Sequence, residues 1–194
     1  MQFTDVTGLA GCAIAIVALA AKVPGVSRLS RTRRRGLLAA VFFAALLPVG
    51  ALPLAGYVRG ATGDLSIASL LLLGMGLLRA LHGVPMPPDR NKLLSLIVLV
   101  AIAFYPWALG WSNFDPYRLG YGSYWLLAGL LGIALLSYWQ ELPTVALAIG
   151  LAVLAWSTGW YESANLWDYL LDPLVSIYAA MVLATQGIRR LRRG

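Results

Sequence analysis

The chain has 194 residues, of which 60% are hydrophobic and only 12% charged, a composition that excludes an ordinary soluble domain and a disordered segment. A net charge of +7 is compatible with nucleic acid, but the bases stand in blocks beside apolar runs and are not interleaved with exposed aromatics. They are read as topology signals, and nucleic acid is not an expected partner.

Apolar runs separated by Gly, Pro and charged residues predict an all-α fold: a polytopic transmembrane helical bundle of about seven spans, forming one integral-membrane domain over the whole chain. The spans fall at about 6–22, 36–57, 65–83, 93–111, 122–139, 143–158 and 166–187. "MQFTDVTG" ahead of the first has an acid and no base, where a signal peptide carries a positive region, so this span is expected to be retained. Asp64 is placed to cap the third span. The sixth is the shortest. Asn165 precedes the seventh, with Asp168 at its third helical position.

With the N-terminus outside, thirteen of the fifteen Lys and Arg collect on one side, including the blocks "SRLSRTRRR" and "IRRLRRG", and only Arg59 and Arg118 face the other. The positive-inside rule then predicts an N-terminus outside, a cytoplasmic C-terminus and an odd number of spans, in a membrane expected to be the bacterial inner (plasma) membrane. The inner basic blocks suit anionic headgroups, which makes membrane lipids expected partners. The last span has no lysine that could carry a retinal Schiff base. One cysteine (Cys12) and one histidine (His82) cannot build a disulfide or a Cys/His metal site, and neither metal nor cofactor is expected.

On this topology the outer side receives six of the eight acids and six of the seven tryptophans. Three short outer segments carry polar sets: "YVRGATGDLS" with Arg59 and Asp64, "SNFDPYRLGYGSY" with Asp115, Tyr117, Arg118 and Tyr121, and "WYESANLWDY" with Trp160, Glu162, Trp167 and Asp168. An aromatic belt accounts for the tryptophans, but a belt normally marks both interfaces. The asymmetry makes Trp111, Trp160 and Trp167, with Tyr117 and Tyr121, candidates to line a cleft. Two arginines above a cavity would suit a phosphate or carboxylate headgroup.

Asp172 is the most informative acid. If the last helix starts near Leu166, a rise of about 1.5 Å per residue puts it roughly 9 Å inside the outer end, where a carboxylate must face protein or water. Asp168, four residues earlier, would share its face. Because Pro173 follows, two geometries are open: a long helix kinked at the proline, or a helix starting at Pro173 with Asp172 as its cap. The kinked helix is preferred, since the alternative leaves only about 15 residues, about 22 Å, before the basic tail. Asp172 is expected to meet Arg59, Arg118 or a buried tyrosine.

Three functions compete. The first is an accessory or scaffolding subunit whose outer surface binds a protein partner or a lipid-linked substrate in cell-envelope work. The second is an enzyme acting on a lipid headgroup through carboxylates and Arg; the sequence has no HExxH or GxSxG signature. The third is a small proton-coupled transporter using Asp168 and Asp172. The accessory subunit ranks first.

Overall fold

The computed structural model describes residues 3–111 and 113–192. Ser112 of the second outer segment and Arg193 of the C-terminal basic block lie outside the described residues. Among the described residues the regular structure is all helical apart from one minimal hairpin. In order come α1 (Phe3–Ala20), α2 (Pro24–Ser27), α3 (Arg31–Leu46), β1 (Pro48–Val49), β2 (Leu52–Pro53), α4 (Leu54–Thr62), α5 (Ile67–His82) and α6 (Arg90–Ala108). A 3-10 turn (Pro116–Gly120), α7 (Tyr124–Trp139), α8 (Pro143–Ser157), α9 (Trp167–Leu170) and α10 (Pro173–Leu191) follow. Two stretches, Arg90–Ala108 (19 residues) and Trp167–Leu191 (25 residues), are long and apolar enough to cross a membrane; Thr4–Ala20, Ile67–His82, Tyr124–Trp139 and Pro143–Ser157 are apolar but shorter.

The chain forms two compact units. The first runs up to Leu65 and adds Leu70–Met86 and Gly159–Glu162; the second takes Ser66–Ser69, Pro87–Thr158 and the chain from Ser163 onward. In the first unit α1, α3 and α4 pack on one another around Leu9, Cys12, Ala13, Ala45 and Ala55. Small side chains dominate this core, so the helix backbones come close and dispersion contacts accumulate.

The predicted second span is not one helix. Leu47 is extended (φ −75°, ψ 143°), α3 stops, and Pro48↔Pro53 and Val49↔Leu52 pair across a tight turn before α4 begins. Pro48 ends the helix because it has no N–H, would clash with the preceding turn and drives its predecessor to extended backbone. Tyr57 of α4 donates to the Val49 carbonyl (3.2 Å), tying the hairpin to the helix that follows it.

In the second unit α6 packs on α10 and α7 on α8, with α8 also against α6. The buried stripe of α8 is Thr144, Val145, Ala148, Ile149, Ala152 and Ala155, spaced as one helical face. Asp89, only 4% exposed, accepts from the Thr144 N–H (2.7 Å) and hydroxyl (2.5 Å), so it satisfies the first turn of α8 across the fold. This fastening was not expected from the proline-rich stretch "HGVPMPPDRNK", which holds it.

The last predicted span is broken, not kinked. Leu171 (φ −146°, ψ 138°) and Asp172 (φ −133°, ψ 162°) are extended, and α10 begins at Pro173 with Asp172 as its cap. The kinked geometry was preferred on length, but α10 continues through Arg189 and Arg190 to Leu191, 19 residues in all. Arginine at the end of a helix can extend its charge to the headgroup layer, so it need not stop the helix.

Candidate functional site

The polar residues singled out in the sequence sort into three clusters, and a groove lies beside one of them. In the first unit the Arg59 guanidinium forks onto Asp64, Nε to Oδ1 at 2.6 Å and Nη2 to Oδ2 at 3.0 Å. Its Nη1 reaches Asp5 (3.3 Å) and its Nη2 lies 3.5 Å from Glu162. One cation thus meets three carboxylates. The planar fork matches Asp64 in a way an ammonium cannot.

Gly8 of α1 makes this pair fit. A Cβ there would stand 2.3 Å from Asp64 Oδ1 and 2.5 Å from Arg59 Nε, so the ion pair lies against bare helix backbone. Gly8→Ala is expected to force the fork apart and to cost about 1.5–3 kcal/mol, the worth of charge-assisted hydrogen bonds at a part-buried site. Thermal unfolding in detergent checks it, and a melting temperature equal to that of the parent protein would count against the packing described. The segment Gly159–Glu162 joins the same unit: the Thr7 hydroxyl donates to the Trp160 carbonyl, and the Tyr161 hydroxyl to the Leu65 carbonyl at 2.7 Å.

The second cluster, in the second unit, centres on Asn165, which is fully buried. Its Nδ2 donates to the Tyr117 carbonyl (2.9 Å), its Oδ1 accepts from the Trp167 N–H (2.9 Å), and the Leu166 N–H donates to the Gly120 carbonyl (2.9 Å). Asp168 accepts from the Tyr117 hydroxyl (3.1 Å to Oδ2) and from Ser163. Burial, then the charge of Asp168, push the Tyr117 phenol well above its usual range, so it stays a donor. Asp115 caps the 3-10 turn by accepting from the Tyr117 N–H (2.9 Å).

The third cluster is Asp172, 6% exposed. Its Oδ2 accepts from the Ser66 N–H (2.9 Å) and the Ser69 hydroxyl (2.5 Å), and its Oδ1 from the Val175 N–H (2.8 Å). The expected arginine or tyrosine partner is therefore replaced by two helix starts: the first turn of α5, which belongs to this unit, and α10. The capping role expected of Asp64 at α5 falls to Ser66, whose hydroxyl accepts from the Ser69 N–H (3.2 Å) while Asp172 braces the same turn, because Asp64 is committed to Arg59. Asp168 and Asp172 do not share a face, since the extended residues between them break the four-residue register.

The groove lies in the second unit, a cavity of about 340 Å³ among α6, α7 and α8, with Leu93, Ile97, Leu126, Gly129 and Ile149 on its walls and Leu119, Trp125 and Trp167 among its lining residues. Trp167 is held there by stacking on Phe104 (centroids 4.4 Å apart) and by donating from its ring to the Pro116 carbonyl (3.0 Å). Of the other aromatics singled out, Tyr121 sits edge-on to Tyr117 (5.8 Å) and Trp111 is 81% exposed. Arg59 belongs to the first unit and Arg118 to the second.

Among the described residues no cluster of His, Cys, Asp or Glu is arranged to hold a metal ion. Ser66 and Ser69 give no sequence signal of a partner a hundred residues away, and Ser163, five residues before Asp168, reads as an ordinary loop serine. Compared with models of protein families, with curated proteins and with solved structures, the chain matches none of them.

Proposed function

We propose that this is an integral membrane protein of seven crossings, its N-terminus outside and C-terminus cytoplasmic, in a bacterial inner membrane, and that it is an accessory subunit holding a lipid or lipid-linked substrate at the outer leaflet. The crossings are α1, the interrupted pair α3 and α4, α5, α6, α7, α8 and the interrupted pair α9 and α10. The thirteen-to-two division of basic residues supports the orientation. At 1.5 Å per residue α5 and α7 are about 24 Å long, a length met by modest local thinning of the bilayer.

The observation that carries the binding reading is the apolar groove, whose volume lies in the range of small-molecule sites. The state of the outer carboxylates favours binding over chemistry or proton transport. A general base needs a lone pair facing its substrate, whereas Asp172, Asp168, Asp64 and Asp115 each accept hydrogen bonds that fix the fold.

Gly129 offers the test. It lines the groove, and nothing lies within 4 Å of where its Cβ would stand, so Gly129→Phe puts a ring into the cavity without a backbone clash. In mild detergent the wild-type protein is expected to retain a lipid by native mass spectrometry, and Gly129→Phe to lose most of it while melting at nearly the same temperature, as exposed substitutions do. A lipid-free wild type, or equal retention by the two proteins, would overturn the reading.

A further inference from the structure

We infer that the groove takes one hydrocarbon chain of a phosphate-bearing lipid, and that the Arg118 guanidinium holds the phosphate. The inference rests on the lipid-binding reading above and names the ligand's chemistry.

Arg118 is exposed on the 3-10 turn Pro116–Gly120, and the next residue, Leu119, lines the groove. The acids beside it are already engaged: Asp115 with the Tyr117 N–H, Asp168 with the hydroxyls of Tyr117 and Ser163. Among the described residues no carboxylate lies within 4.0 Å of Arg118. Arg59 carries the opposite arrangement, saturated by three carboxylates. An exposed arginine without a carboxylate partner among the described residues, one residue along the turn from the groove-lining Leu119, complements an anion joined to a chain, and the guanidinium fork fits two phosphate oxygens.

The size of the slot selects the occupant. A helix about 10–12 Å across with its side chains can lie over a cavity of about 340 Å³ but cannot fill it, whereas a single chain can. Trp125, 86% exposed, and Trp167 flank it with indole rings, which favour the headgroup level of a bilayer.

The test compares phosphatidylglycerol with a diacylglycerol of the same chains, each titrated against the delipidated full-length protein in neutral detergent and read by native mass spectrometry. Phosphatidylglycerol is expected to bind roughly 10- to 100-fold more tightly, the range of charge-assisted hydrogen bonding. Arg118→Gln is expected to abolish that preference and leave diacylglycerol binding unchanged, while Arg118→Lys keeps part of it. Equal binding of the two lipids, or a preference that survives Arg118→Gln, would overturn the phosphate assignment and leave the groove reading standing. Failure of both lipids to bind would remove the groove reading itself.

Discussion

Asp172→Ala is expected to destabilise the protein by about 3–5 kcal/mol, more than loss of Asp64, Asp115, Glu162 or Asp168. The carboxylate is buried and receives three donors, the N–H groups of Ser66 and Val175 and the hydroxyl of Ser69. Alanine leaves all three without acceptors. It also takes an anion away from two helix N-termini, where the unsatisfied N–H groups favour negative charge. Asp172→Asn has nearly the same shape but turns an NH₂ toward donors, so it is expected to cost nearly as much. Ser69→Ala, which removes one donor and leaves the acceptor in place, is expected to cost about 1 kcal/mol. Denaturant or thermal unfolding in detergent orders the three variants. Full stability of Asp172→Asn would count against the three-donor arrangement as the source of the effect.

The same residue shows what the sequence could and could not disclose. Burial and the need for polar company followed from its depth in an apolar segment, because an isolated charge in hydrocarbon is costly. The identity of the company did not follow, since Ser66 and Ser69 lie about a hundred residues away and look like any other serines. The helix break is written in "LDPL", and the basic tail does not shorten α10, because arginine need not end a helix. "LPVGALP" tells the same story in the second predicted span. Two prolines and a glycine interrupt an apolar run, but hydropathy averages over them, and a hairpin was read as helix.

Elements bounded by charge, Gly or Pro were legible. The run read as 65–83 is Ile67–His82, 122–139 contains Tyr124–Trp139, and 143–158 is Pro143–Ser157. The groove was not legible, because α7 is apolar on every side and has no face that marks where its neighbour stops. The arginines separated in a similar way. Both stood out as outer cations, but only the fold shows Arg59 saturated by Asp5, Asp64 and Glu162 and Arg118 open.

Gly120→Ala is expected to have the second large effect, about 3–4 kcal/mol, although the change is a single methyl. The new Cβ would stand 1.7 Å from Asn165 Oδ1 and 2.6 Å from its Cγ, a distance at which Asn165 must leave its place. Its departure breaks the bonds to the Tyr117 carbonyl and the Trp167 N–H and strips two part-buried backbone groups of partners. Asn165→Ala loses the same bonds without the collision and is expected to cost about 2–3 kcal/mol. The two effects should not add, because in the double variant the methyl enters the space vacated by the amide. It still meets Trp167 Cδ1 at 2.8 Å, so some cost remains above that of Asn165→Ala alone. A double-mutant cycle by thermal unfolding is therefore expected to give a coupling of roughly 2–3 kcal/mol. Additive costs would count against the approach of Asn165 to Gly120 as the source of the effect.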